Sequence, residues 1–308
     1  MENTPYHIPA LLPQTIDALA VKPGGIYVDC TLGGGGHSRA IAEALQGSGA
    51  LYSLDRDSEA IERAVPTDVF TPVHGDFRHL ANYMRYYGAL GRVDGVLADL
   101  GVSFHHFDDA TRGFSFRADA PLDMRMGRQS DLTAASLLAE ASEENLATIF
   151  KLYGELRQAK RLAAALVKAR RTKAVDTTSR LVELATPLLS PANLKQELAQ
   201  LFQALRIEVN GEMKALEALL EASLKVLRPG GRLAVITYHS LEDRMVKNFL
   251  RTGRTDGTRP ATDIFGRVEV PVEPLFSKPI VPDADEIERN PRSRSAKLRV
   301  GLRTETEL

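Results

Sequence analysis

Within its first hundred residues the chain repeats one pattern, a short apolar run followed by a stretch of helix-forming composition. Residues 25–29 lead through a cluster of glycines into 38–45, and residues 50–55 lead into 58–64. Residues 69–73 and 93–99 supply a third and a fourth strand, with a helical stretch over 80–87 between them. Alternation of strand and helix calls for a parallel sheet, because each crossover helix returns the chain to the same end of the sheet and covers one face of it. The predicted class is therefore α/β, with a doubly wound sheet.

After Asp99 the rhythm stops. A fifth strand, 232–237, comes only after a helical pattern over 212–226 and the turn Arg228-Pro229-Gly230-Gly231, and 132 residues separate Asp99 from Gly231. A crossover needs only about a dozen residues, so residues 107–210, rich in Ala, Leu, Glu, Lys and Arg, read as an inserted helical domain. Residues 1–106 and 211–308 then form the sheet domain, closed by a last strand over 296–302. With 39 Lys+Arg against 40 Asp+Glu, net charge names no partner, and 44% hydrophobic residues exclude wholesale disorder. One cysteine, Cys30, cannot form an internal disulfide. The first thirty residues lack a basic segment followed by an apolar run, and no apolar stretch reaches the roughly 20 residues of a membrane helix, so a cytoplasmic protein is expected. Seven histidines and that cysteine show no metal-ligand spacing, and no metal site is expected.

The run Gly33-Gly34-Gly35-Gly36-His37-Ser38 lies between the first strand and its helix. Glycines let the main chain adopt turns closed to other residues and approach a ligand closely. Asp55 ends the second strand 19 residues past the last glycine, where a carboxylate can accept both hydroxyls of an adenosine ribose. NAD and S-adenosylmethionine both offer that diol. Ser38 stands where a dinucleotide loop would carry its third glycine, which disfavours NAD. Asp57, just before Ser58, reads as a helix N-cap.

Several segments, in order, closely resemble one family: His7-Ile8-Pro9, the glycine run, Asp55-Arg56-Asp57, His74-Gly75-Asp76-Phe77, Asp99-Leu100-Gly101-Val102-Ser103, Arg112-Gly113-Phe114-Ser115-Phe116, Pro121-Leu122-Asp123-Met124-Arg125-Met126, Phe202 to Ile207, His239-Ser240-Leu241-Glu242-Asp243-Arg244 and Asn290 to Ser295. It is the ribosomal RNA small subunit methyltransferase H family, also called MraW. The resemblance implies a class I methyltransferase fold, Rossmann-like, carrying a helical insert. It implies transfer of a methyl group from S-adenosylmethionine to the exocyclic N4 of a cytidine in the decoding region of small-subunit ribosomal RNA. Carried over by position, the cofactor contacts fall on Gly35, Gly36, His37, Asp55, Phe77, Asp99 and His106, the last commonly a glutamine in the family. The implied partner is small-subunit rRNA or the assembled small subunit, with no membrane, and a homodimer stays open.

A cytosine N4 is a poor nucleophile because its lone pair is delocalised into the ring, whereas the sulfonium methyl is already electrophilic. Help is needed on the base side, by accepting a hydrogen bond from N4 and aligning nitrogen, methyl and sulfur. Asp99 is the first candidate for this work and Ser103 the second. Phe104, Phe107, Phe114 and Phe116 could include a stacking platform, with core packing the expected fate of most, and His239 reads as structural. Two basic groups suit RNA phosphates: Arg157, Lys160, Arg161, Lys168 and Arg171 on one arc of about 100° of a helix in the insert, and six cations between Arg289 and Arg303. The insert is thus expected to dock RNA over the carboxyl edge of the sheet. Two other readings stay open on the residues alone, an NAD-dependent oxidoreductase with a helical substrate domain and an RNA-binding assembly factor without catalysis.

Overall fold

A computed structural model describes residues 8–101, 110–127, 131–258, 260, 262 and 269–306. The chain divides into two compact units, Met1–Gly101 with Lys214–Leu308, and Val102–Met213.

In the first unit, β1 (Ile26–Asp29), β2 (Ala50–Asp55), β3 (Phe70–His74), β4 (Val93–Asp99) and β5 (Leu227–Thr237) run parallel. The short β6 (Val272–Pro274) and β7 (Lys297–Arg303) complete a seven-stranded sheet in the order β3-β2-β1-β4-β5-β7-β6, with β7 antiparallel to both neighbours. Helices α1 (Leu12–Leu19), α2 (Gly36–Ala44), α3 (Ser58–Arg63) and α4 (Leu80–Tyr86) accompany the first four strands. The doubly wound α/β sheet expected from the alternation is the fold.

Central strands of such a sheet are covered on both faces and so read as continuous apolar runs. In β4, Val96, Leu97 and Ala98 are all fully buried. On one face, Leu11 and Leu19 beside α1 and Ile41 and Leu45 beside α2 pack with Tyr27, Leu51, Ile236 and Leu298. Gly95 makes room for that layer, since a Cβ there would lie 2.9 Å from the Tyr27 ring. On the other face, Asp243 of the helix Ser240–Thr252 takes a bidentate hydrogen bond from Arg299, and Leu250 of the same helix reaches Gly301.

The turn expected before the fifth strand is instead part of it. Val93 pairs with Leu227 and Gly95 with Arg232, so Pro229, Gly230 and Gly231 bulge out of the ladder. Proline offers no N–H to a ladder and glycine tolerates the bend, which is why these residues sit where pairing is interrupted.

The second unit is helical, with Ala134–Glu140, Glu143–Leu152, Ala159–Arg170, Thr178–Ala185 and Leu194–Asn210 closing on Leu138, Phe150, Leu162, Leu181 and Leu205. Thr133, Ser142 and Thr177 cap three of these helices through their hydroxyls, each removing an unpaired first-turn N–H. Asn210 ends the longest helix and bonds an irregular strand of chain: its amide oxygen accepts Met126 N–H (2.7 Å), and its amide nitrogen donates to the Met124 carbonyl (2.8 Å). Arg112 donates to the carbonyls of Arg125 and Met126. A Cβ at Gly113 would lie 2.2 Å from the Pro121 carbonyl. The segments around Arg112 and Met124 that carried part of the family resemblance are therefore used to build this unit.

Candidate active site

Strands β1, β2 and β4 end at Asp29, Asp55 and Asp99, three carboxylates at the carboxyl ends of parallel strands of one sheet. Asp29 is fully buried and accepts hydrogen bonds from Ser38 Oγ (2.6 Å) and Thr31 N–H (3.0 Å). Ser38 Oγ also meets Ser53 Oγ at 2.8 Å. Burial pushes the Asp29 carboxyl up, against the opposing charge of His37 and the Ser38 bond. Ser38, in the third-glycine position, is thus committed to tying α2 to β1 and β2.

The loop between β1 and α2 turns at Gly33 (φ +49°) and Gly35 (φ +73°), left-handed angles that disfavour any side chain. A Cβ on Gly36 would lie 2.7 Å from Pro9. The first main-chain bond of the helix runs from Arg39 N–H to Gly35 oxygen, so the N–H groups of Gly36, His37 and Ser38 precede the ladder.

Asp55 fastens this loop to β2. One oxygen accepts Gly33 N–H at 2.8 Å and the other accepts Asp57 N–H at 2.9 Å. Burial raises its carboxyl, partly offset by these two bonds. Each carboxylate oxygen keeps a further acceptor position, so a pair of vicinal hydroxyls can still be bound. Asp57 caps α3 by accepting Glu59 N–H, as expected. After β3, Asp76 is gripped by Arg78 and faces Arg56 at 3.4 Å, and half-buried Phe77 opens the next short turn. Burial alone would raise the Asp76 carboxyl, but the Arg78 bonds and the Arg56 charge hold it below its usual range.

Asp99 is tied into the same loop. Its N–H donates to Thr31 Oγ1 (2.7 Å), its Oδ1 accepts Gly101 N–H (3.2 Å), and its Oδ2 lies 3.8 Å from His37 Nδ1. Tyr238, just past β5, hydrogen-bonds the carboxylate, and burial together with the Asp99 charge drives the phenol pKa far up. The phenol is held protonated, a donor to Asp99. The His37 ring is buried and its Nε2 meets the Ala10 carbonyl at 3.1 Å. Its main-chain N–H has no partner among the described residues.

These placements bring Gly35, Gly36, His37, Asp55, Phe77 and Asp99 to the loops after β1, β2, β3 and β4 of one sheet. His106, together with Ser103, Phe104, His105 and Phe107, lies outside the described residues. Phe114 is buried and Phe116 packs edge-on against Phe202, both in the core of the helical unit. His239 caps the helix that follows it, with Nδ1 accepting Glu242 N–H.

The basic run from Arg289 to Arg303 divides: Arg289, Arg292 and Arg294 are exposed, whereas the three cations of β7 are engaged within the fold, which corrects the expectation for those three. Arg303 is buried and bonds the carbonyls of Pro271, Thr304 and Thr306, while Lys297 and Arg299 both pair with Asp243. On β7 the odd positions share one face, and that face supplies partners for these cations. Of the insert's cations, Lys160, Arg161 and Lys168 lie on the helix Ala159–Arg170, while Arg157 precedes it and Arg171 is its C-cap, so the expected five-residue helical arc is shortened; all five are exposed and form no ion pair among the described residues.

Nothing in the sequence assigns a role to the segment that braces the glycine loop. Leu11 N–H donates to buried Glu286 (2.7 Å), and Asn290 Nδ2 donates to the Ile8 carbonyl (3.0 Å). Asn290 and Ile8 both fall in motifs that carried the resemblance, but nothing local to either signals their meeting.

A sequence profile of the MraW methylase family matches residues 4–304. The chain belongs to that family. A Parabacteroides distasonis protein named ribosomal RNA small subunit methyltransferase H is 55% identical over 296 residues, 96% of each chain. A Bacteroides fragilis protein of the same name is 52% identical over 299 residues, 97% of this chain and 98% of its own. Among solved structures, a methyltransferase homologue from Pyrococcus horikoshii aligns with a TM-score of 0.42 and 14% identity over 97% of this chain and 68% of that one. The MraW methylase match runs through both units, so it includes the glycine loop of the first and the basic helix of the second. Among the described residues, no helix of this MraW methylase is long and apolar enough to cross a membrane.

Proposed function

We propose that this MraW methylase transfers a methyl group from S-adenosylmethionine to the exocyclic N4 of a cytidine in the decoding region of small-subunit ribosomal RNA. The observation that carries the reading is the Asp55 carboxylate, fixed at the end of β2 by Gly33 and Asp57 beside a loop of glycines, in a chain 55% identical to a named rRNA methyltransferase.

S-adenosylmethionine, when bound, supplies an electrophilic methyl carbon. Asp55 accepts the ribose hydroxyls, and Gly35, Gly36, His37, Phe77 and His106 complete the contacts with that cofactor. Asp99 accepts a hydrogen bond from an amine, either the cofactor's or the cytosine N4. Tyr238 and Gly101 hold its carboxylate in one orientation. Fixed orientation of reacting groups is worth up to about 7–11 kcal/mol of barrier, which is the effect an amine with a delocalised lone pair needs.

The helical unit, drawn at 107–210 from sequence, is the RNA-docking element in this reading. Its cations Arg157, Lys160, Arg161, Lys168 and Arg171 have no acidic partner among the described residues, and so are free to meet phosphates. The enzyme acts in the cytoplasm on free rRNA or on the assembled subunit.

The test is methylation of small subunits lacking the modification, using purified protein and labelled S-adenosylmethionine, with the product nucleoside identified by mass spectrometry. N4-methylated cytidine in the decoding region is expected. No transfer, or label on another nucleoside, overturns the reading. Sedimentation of the same preparation separates homodimer from monomer.

A further inference from the structure

Ahead of β4, α4 ends in a ladder of tyrosine rings. Tyr87 stacks on Tyr52 of β2 with centroids 4.6 Å apart, and Tyr86 meets Tyr87 edge-on at 5.0 Å. Tyr86 is 82% exposed. An aromatic ring so open, fixed by two others behind it, gains nothing from burial and presents a rigid π-face to whatever lies outside.

The stretch of chain that carries the ladder bears cations alone, and the acid that follows it, Asp94, is paired with Lys22 and Arg228. Residues 77–93 include Arg78, Arg85 and Arg92 but no acid. Arg78 is paired with Asp76, whereas Arg85 bonds only the Asn82 amide and Arg92 the Gly88 carbonyl among the described residues. Gly88 follows Tyr87 directly and its N–H donates to the Arg85 carbonyl, so both guanidiniums spring from the turn that carries the rings. Exposed Lys225 lies two residues before Leu227, the partner of Val93 that follows Arg92.

We propose that this surface, Tyr86 backed by Tyr87 and flanked by Arg85, Arg92 and Lys225, binds unpaired nucleotides of the RNA substrate at a second point away from the methyl-transfer site. The proposal rests on the reading of the chain as an rRNA methyltransferase. Stacking of bases on tyrosine with cations tracking the backbone is how proteins hold single-stranded RNA. Position adds a conclusion about the substrate. Arg92 and Lys225 precede their strands, while Asp99 ends β4, and a seven-residue strand spans about 20 Å. One RNA reaching both ends extends beyond the target cytidine, so an oligonucleotide too short to cross that distance lacks the second contact.

Two variants test this, Tyr86→Ala and the triple change Arg85→Gln, Arg92→Gln, Lys225→Gln, all at exposed positions. Binding is measured to protein-free small-subunit rRNA, to assembled small subunits and to a short hairpin containing the target. Tyr86→Ala should weaken binding to full-length rRNA by about tenfold. The triple variant should flatten its salt dependence by up to about three in slope. Hairpin and S-adenosylmethionine binding should be unchanged in both. Unchanged affinity and slope on full-length rRNA, with the wild type binding normally, overturn this inference alone. Loss on assembled subunits with naked rRNA unaffected assigns the surface to a protein and overturns it too. A wild type that binds no rRNA overturns the functional reading together with it.

Discussion

Leu11 and Glu286, 275 positions apart, meet in a 2.7 Å hydrogen bond from the leucine N–H to the buried carboxylate. The next carbonyl upstream, Ala10, meets His37 Nε2, and His37 Nδ1 lies 3.8 Å from Asp99. A brace held from the far end of the chain thus bears on the residue assigned to the amine. Leu11 also sits at φ +54°, an angle that leucine keeps only when its surroundings impose it.

Glu286→Ala strands the Leu11 N–H in the interior. Stability should fall by about 1–3 kcal/mol, and S-adenosylmethionine affinity should fall with it as the glycine loop loses its brace. Glu286→Gln keeps an acceptor oxygen and should restore most of both. Denaturant melts and calorimetry on the two variants check this; cofactor affinity unaltered in the alanine variant would confine Glu286 to folding.

Asp55→Ala removes charged hydrogen bonds of about 1.5–3 kcal/mol, or roughly tenfold to a hundredfold in cofactor affinity. The same change frees Gly33 N–H, so the loss should lie at the upper end. Titration calorimetry with S-adenosylmethionine measures it, and an unaltered dissociation constant in a folded variant removes Asp55 from the site.

Asp99→Asn preserves shape but replaces an acceptor oxygen by a donor amide. Tyr238 and Gly101 would then compete for one remaining oxygen. Methyl transfer should fall strongly, and cofactor affinity distinguishes the two assignments: a parallel fall places Asp99 on the cofactor, a preserved affinity places it on the cytosine. Wild-type turnover at saturating cofactor would exclude it from catalysis.

In the helical unit, changing Arg157, Lys160, Arg161 and Arg171 together to glutamine should reduce rRNA affinity and lower the salt slope by about one for each phosphate that is no longer neutralised. Cofactor affinity should be unaffected. A slope equal to wild type would mark these cations as solvated only.

Acid sensitivity should have an identifiable source in Asp243. Burial alone would raise its carboxyl, but Arg299, helped by Lys297, outweighs burial and holds it low. A depressed folded pKa contributes stability that is complete above the unfolded aspartate range and disappears as pH falls through the folded value. Asp243→Asn should therefore lower the melting temperature at pH 7 and show a smaller further drop on acidification than wild type. Equal acid dependence in the two proteins would contradict it.

The strands ending at Asp29, Asp55 and Asp99 were legible because periodicity and a terminal acid are local signals. The Asp57 cap was legible for the same reason. Arg303 was not: a run of cations looks alike whether its members meet phosphate or carbonyls, and only the β7 register shows which of them turn toward Asp243 or the Pro271 carbonyl. Pro229 to Gly231 reads as a turn in sequence because proline and glycine break ladders, and a bulge uses the same chemistry. Glu286 gives no signal at all, since its partner is a main-chain N–H that any residue but proline would offer at position 11.

Strand β7 lies between β5 and β6, although both precede it in the chain. During synthesis from the amino end, the slot between those two strands stays open until residues 297–303 have emerged. Until then β5 exposes an unpaired row of N–H and C=O groups beside apolar Leu233 and Val235, the kind of edge that recruits other strands. The central gap in the sheet therefore closes only once residues 297–303 have been made. A chain stopped anywhere before Lys297 would be expected to aggregate or be degraded rather than to persist as a weakened methyltransferase.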